Sequence, residues 1–267
     1  MLFKRVVSAL IGLPILFLSV LISSRVFYIA LCFITAIGLF EYFSAAEKGG
    51  LKPMKYTGTF AGIMLLILIM DKGNHGLIIP LITLTSFMLL AIPVFNKKHD
   101  FASSGVTMLG ILYVPLFFGY LYLIRSMPGN GVYLIWFVFI IAFLSDTFAY
   151  FIGRKFGKTK LSPRVSPKKT VEGAVGGILA STLGCTIYGI ALDAYMIANI
   201  PLIHLLVMGV VGSIISIIGD LAASSIKRNV GIKDYGNIMP GHGGVLDRFD
   251  SILFVAPLIY YYITYVL

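Results

Sequence analysis

The hydrophobic positions of this chain gather into long runs separated by short polar segments. Runs fall at 6–23, 26–43, 76–95, 102–124, 131–152, 171–192, 202–221 and 249–267. Each is near the roughly 17 to 25 residues that an apolar helix needs to cross a bilayer core. A shorter run, 57–70, completes nine. The pattern predicts an all-α fold, a polytopic membrane helical bundle with about nine transmembrane helices.

Composition agrees: 58% of residues are hydrophobic and 12% charged, far from the balance of a soluble domain. The basic residues give the expected orientation. With the N-terminus assigned to the cytoplasm and alternating spans, eighteen of the 21 Lys and Arg fall in cytoplasmic segments, and only Arg25, Lys72 and Arg125 fall opposite. The expected topology is therefore N-terminus inside, C-terminus outside. Leaving out the 57–70 run would scramble that alternation. A net charge of +10 could suggest nucleic acid, but the cations sit at helix ends, where they attract anionic lipid head groups instead, so no nucleic acid is expected. Cys32 and Cys185 both fall inside expected spans and have neither disulfide nor metal-ligand spacing. The Lys4-Arg5 start lacks a small-x-small cleavage site and reads as an uncleaved first span. With no linker or repeat in evidence, 1–267 reads as a single integral membrane domain. Within it, 1–124 is expected to supply scaffold and lipid-facing helices, and 131–267 the helices and cytoplasmic loops that carry the chemistry.

Charge changes the picture in the second half. Glu41, in the first half near the cytoplasmic end of its run, reads either as a functional group, being an ionisable residue in a span, or as an acid close enough to the interface to reach water. Asp146 lies two turns before the basic 153–170 loop, on a stripe with Tyr150 and Gly153, and reads either as a functional group or as one half of a buried ion pair. Ser166-Pro167-Lys168-Lys169-Thr170-Val171-Glu172-Gly173 delivers two lysines to the start of a helix, where free N–H groups already favour anions. The next run carries Gly173, Gly176, Gly177 and Gly184, a pattern of close helix packing.

The densest chemistry lies in 218–251. Asp220, Ser224, Lys227 and Arg228 form one helical stripe, and Asp247 and Asp250 share a face just after Gly243-Gly244, glycines that let backbone approach a ligand. Asp146, Glu172, Asp220, Asp247 and Asp250 all fall toward the cytoplasmic side, beside many cations. Hard carboxylate oxygens suit Mg2+, which takes one or two of them together with substrate phosphates, so a nucleotide or other polyphosphate is the expected ligand. Zinc is not expected, since no second His or Cys lies at ligand spacing from His242.

Ser225-Ile226-Lys227-Arg228, Lys233-Asp234-Tyr235-Gly236-Asn237 and Pro240-Gly241-His242-Gly243-Gly244-Val245-Leu246-Asp247-Arg248-Phe249-Asp250 closely resemble the signature of the phosphatidate cytidylyltransferases, or CDP-diacylglycerol synthases. The 166–173 segment and Asp146-Thr147 are similar to the same family, whose motifs here cover 145–251; Met239 stands where a branched aliphatic residue is usual. The resemblance implies an enzyme of phospholipid biosynthesis that converts CTP and phosphatidate to CDP-diacylglycerol and pyrophosphate. It implies dependence on divalent metal, a multi-pass place in the cell inner (cytoplasmic) membrane and a homodimer.

On that reading Asp220 and Asp247 hold one or two Mg2+ ions, a second cation of another type also being admitted, with Asp146 and Asp250 as further metal ligands. Lys227 and Arg228 neutralise phosphate. Lys168, Lys169, Ser225, Gly243, Gly244 and Arg248 contact substrate, and His242 either hydrogen-bonds a phosphate or donates a proton. The site is expected to face the cytoplasm and to open sideways to lipid. Two other readings stay open: a CTP-dependent lipid kinase, which transfers the γ-phosphoryl group, and a transporter, since intramembrane acids also mark ion pathways.

Overall fold

The computed structural model describes residues 17–238 and 243–267. Every apolar run from residue 26 onward is helical over most of its length. The helices are α1 (Ser24–Lys48), α2 (Lys55–Met70), α3 (Ile78–Phe95, entered by a 3-10 turn over Lys72–Leu77), α4 (Phe101–Arg125), the single turn α5 (Gly131–Leu134), α6 (Trp136–Phe156), α7 (Val171–Ala194), α8 (Leu202–Asn229) and α9 (Leu246–Tyr265). Among the described residues six stretches are long and apolar enough to cross a membrane: Ser24–Lys48, Gly73–Phe95, Phe101–Arg125, Gly131–Phe156, Val171–Ala194 and Leu202–Asn229. Lys55–Met70 is apolar but shorter. The chain is a multi-pass, largely all-α membrane protein. Most of the expected first span, 6–23, lies outside the described residues.

The 153–170 segment differs from the loop expected there. Helix α6 runs on to Phe156, and the rest folds into an antiparallel hairpin, β1 (Lys160–Ser162) with β2 (Ser166–Thr170), pairing Lys160 with Thr170 and Ser162 with Ser166. The apolar pattern could not show it, because the hairpin is polar and only a few residues long. Val171 N–H extends the pairing by donating to Thr159 O at 2.9 Å.

The contacts divide the chain into two compact units, Met1–Leu123 with Lys227–Arg248, and Ile124–Ile226 with Phe249–Leu267. In the first unit, Asp100 opens α4 as a reciprocal cap. Its carboxylate accepts from Ser103 Oγ at 2.6 Å and Ser103 N–H at 2.8 Å. These two bonds, the hydroxyl's first, hold the Asp100 carboxyl below the usual carboxylate range. The Thr107 hydroxyl donates to Ser103 O at 2.7 Å and accepts from Met54 N–H at 2.9 Å, tying the start of α2 to α4. Such bonds matter because an unsatisfied polar group is costly where no water reaches. Leu65, Ile69, Leu89 and Ile111 form part of the unit's core.

In the second unit α6 and α7 pack almost backbone to backbone. A Cβ at Gly177 would lie 2.7 Å from the Ser145 carbonyl oxygen, so only glycine permits this approach. One turn earlier Gly173 meets the Ala149 carbonyl in the same way. The expected small-residue packing face is thus the α6–α7 seam. Ser181 Oγ adds a hydrogen bond to Ile141 O at 3.0 Å. Thr170 begins α7 as its N-cap, accepting from Gly173 N–H at 3.2 Å, and Thr182 and Thr186 donate to carbonyls one turn back.

Candidate functional site

The second unit holds a cavity of about 530 Å³ whose wall includes Asp146, Tyr150, Arg154, Lys160, Lys168, Lys169, Thr170 and Asp220. Four cations and two carboxylates thus face one space, the charge pattern of a polyanion site that also keeps hard oxygen donors. The hairpin explains how the lysines arrive. Neighbouring strand residues point to opposite sides, so Lys169 is half-buried and forms an ion pair with Asp220, while Lys168 stays exposed at the cavity's edge. The hairpin is pinned in turn by Glu172, whose carboxylate accepts the Thr159 N–H at 3.0 and 3.2 Å. Glu172 therefore holds the loop and is not among the cavity's wall residues.

Asp220 also accepts from Ser224 Oγ at 3.3 Å, one turn further along α8. Asp146 is exposed to the cavity and accepts from Ser251 Oγ at 3.0 and 3.3 Å, which ties α6 to α9. The stripe that carries it lines an open space, not a packed interior. Asp250 is buried, at 8% exposure, and accepts the Ser251 N–H at 2.9 Å. Tyr150 and Arg154 complete one wall, the Arg154 guanidinium donating to Tyr150 OH at 3.1 Å. The cavity role of Arg154 was not singled out from sequence. Its signal is the spacing Asp146, Tyr150, Arg154, two helical steps of four residues.

The first unit holds a second, buried arrangement. Asp247, in the first turn of α9, pairs with Lys227 at 2.7 Å, the two side chains being 2% and 9% exposed. Its other oxygen accepts from Tyr235 N–H at 2.8 Å and from Gly244 N–H at 2.9 Å. Ion pair and hydrogen bonds together offset the desolvation of both charges. A carboxylate offers about four lone-pair positions, so Asp247 keeps capacity beyond these three partners. Gly243 has φ +84°, a left-handed conformation that suits glycine, and brings the chain tightly over the Asp247 carboxylate.

Glu41 corrects its sequence reading. It does not reach water: the residue is 2% exposed, and its two oxygens accept the N–H groups of Val245 and Leu246, both at 3.0 Å. The reason is the start of α9, whose free N–H groups draw the carboxylate inward. Gly244 is small for the same reason, since a Cβ there would collide with the Glu41 carboxyl. The signal in sequence was the acid inside an apolar run; its partners, more than 200 positions away, left none.

The remaining expected residues divide as follows. Lys168, Lys169, Asp146 and Asp220 meet at the cavity, and Lys227, Asp247 and Gly244 meet in the first unit. Arg228 is exposed and donates to Ile232 O at 3.0 Å, Arg248 is exposed, and Ser225 is half-buried on α8. His242 lies outside the described residues. Among the described residues no group of three or more His, Cys, Asp or Glu is gathered in a metal-holding arrangement.

The model of the cytidylyltransferase family matches residues 3–266. The phosphatidate cytidylyltransferase of Staphylococcus epidermidis is 37% identical over 260 residues, covering 96% of this chain and 96% of that protein. The phosphatidate cytidylyltransferase of Staphylococcus saprophyticus is 41% identical over 201 residues (74% and 75%), and that of Bacillus subtilis 39% over 175 residues (65% and 64%). A match from residue 3 to residue 266, over a cavity of cations and carboxylates, places this chain in the cytidylyltransferase family.

Proposed function

We propose that this chain is a phosphatidate cytidylyltransferase, transferring CMP from CTP to phosphatidate to give CDP-diacylglycerol and pyrophosphate. The observation that carries the reading is the cavity in which Lys160, Lys168, Lys169 and Arg154 face Asp146 and Asp220. Relatives that bear that name over most of their length support it.

The phosphate oxygen of phosphatidate attacks the α-phosphorus of CTP, a new P–O bond forms, and the bond to the β-phosphate oxygen breaks as pyrophosphate leaves. The nucleophile is already an oxyanion, so no covalent protein intermediate is needed, and catalysis rests on positioning and charge neutralisation. Lys168, Lys169 and Arg154 bind phosphate oxygens, with Arg248, Arg228, Ser225 and Gly243 as further substrate contacts. Lys169 also pairs with Asp220, as Lys227 does with Asp247. His242 contacts a phosphate or donates a proton. Mg2+ supplies neutralisation of the crowded phosphate charge when bound. The carboxylates assigned to it are Asp220, Asp146 and Asp250 in the second unit and Asp247 in the first; these are all oxygen donors, and the ion ordinarily needs only one or two carboxylates beside phosphates and water.

The charge distribution supports a cavity opening to the cytoplasm, with N-terminus inside and C-terminus outside, in the cell inner membrane. A homodimer belongs to the same reading. Purified chain in phosphatidate-containing nanodiscs with Mg2+ and α-labelled CTP should move label into lipid and release unlabelled pyrophosphate. Label entering lipid only from γ-labelled CTP would establish the lipid kinase instead, and no label in lipid from either substrate would overturn the assignment.

A further inference from the structure

We infer that Glu41 is a positioning residue for cytidylyl transfer, acting through the Val245–Leu246 backbone on the carboxylate of Asp247. The inference rests on Asp247 belonging to the reacting centre.

A helix start is ordinarily capped by a nearby Ser, Thr, Asp or Asn. At α9 Val245, just before the first helical residue, has no side-chain acceptor, and the cap for two N–H groups comes from α1, 204 and 205 positions away. A carboxylate at 2% exposure is costly to keep, and among the described residues no ion pair reaches this one. Its compensation is this single point on the chain.

That point also fixes Asp247. The Tyr235 and Gly244 N–H groups that bond Asp247 Oδ2 belong to two strands of loop, both seated on Glu41: a Cβ at Gly236 or at Gly244 would run into its carboxyl group. Asp247 Oδ1 meets Lys227 at 2.7 Å. A shift of the Glu41 carboxylate therefore moves both donors to Oδ2 and, through the same side chain, the Lys227 contact. Gly236 and Gly244 are thus registered against a helix from the opposite end of the sequence, not merely against α9.

Glu41→Gln tests this, because it keeps the shape but turns an NH2 group toward one of the two N–H donors. The expected result is a folded chain whose kcat per folded molecule falls at least tenfold while KM for CTP stays within twofold. Leu65→Ala, a core change in the same unit, sets the control: it should lower the thermal midpoint and leave kcat per folded molecule unchanged. Wild-type kcat in Glu41→Gln, or a loss that Leu65→Ala reproduces at matched midpoint, overturns the inference. If Glu41→Gln does not fold, Gly236→Ala presses on the same carboxyl from the other side and is read by the same criteria. Asp247→Asn separates the premise: full turnover there overturns the placing of Asp247, whereas an inactive Asp247→Asn beside a wild-type Glu41→Gln overturns only the role of Glu41.

Discussion

Lys169 and Asp220 form an ion pair on the wall of the charged cavity, and each side chain remains about one quarter exposed, at 27% and 25%. A pair so open to solvent contributes about 1 kcal/mol or less to stability. Its value lies in presenting a cation and an acid together. Lys169→Ala should leave the thermal midpoint nearly unchanged and lower kcat/KM at least tenfold, which corresponds to about 1.4 kcal/mol of transition-state stabilisation. Steady-state kinetics beside a melting curve in the same detergent checks both halves.

The Lys227–Asp247 pair should behave in the opposite way. Both groups are buried, so Lys227→Met leaves a charge without its partner and should cost about 3–5 kcal/mol. The double change Lys227→Met with Asp247→Leu should recover much of that loss while remaining inactive. Denaturant unfolding in micelles of the single and double variants measures the coupling.

Chelation offers a test of the metal assignment. EDTA should abolish transfer of label from CTP to lipid, and added Mg2+ should restore it. Asp220→Asn should stay folded and inactive at every Mg2+ concentration. Turnover by the chelated wild-type chain would remove the metal from the mechanism.

At the α6–α7 seam, Gly177→Val places carbon atoms where the Ser145 carbonyl now sits, with the first of them only 2.7 Å away. Overpacking of this kind costs about 1–3 kcal/mol. Because the seam runs directly behind Asp146, activity should fall together with the midpoint, in contrast to Lys169→Ala. Thermal unfolding and kinetics on the same preparation decide it.

Thr170→Val removes the hydroxyl that caps α7 and should cost about 1 kcal/mol, whereas Thr170→Ser should keep the cap. The difference between the two midpoints isolates the hydrogen bond from the shape of the side chain.

The helices were legible because a bilayer demands long apolar runs, and the runs at 26–43, 102–124 and 171–192 lie within α1, α4 and α7. The hairpin was not, because its pairing joins polar residues over a span too short for a periodic signal. Site chemistry was legible as density: Asp146, Lys168, Lys169 and Asp220 stood out in a chain poor in charge, and they share one cavity. Partner choice was not legible. Nothing in the order of residues says that Lys169 takes Asp220 while Lys227 takes Asp247, or that Glu41 serves the start of α9. Those choices depend on which helices lie side by side, and an apolar run carries almost no information about its neighbours.

The hairpin also makes the cavity's charge and the geometry of α7 a single variable. Thr170 is at once the last residue of β2, the partner of Lys160 and the cap of α7. Side chains alternate along a strand, so a slip of one residue would hand the place of Lys169 to a neighbour and pull Thr170 off the helix it starts. An insertion or deletion in the 163–165 turn that left the two strands free to slide would thus disturb the Lys169–Asp220 pair and helix initiation together. Length in this small turn is constrained as tightly as residue identity, though its own three side chains are not the ones that set the cavity's charge.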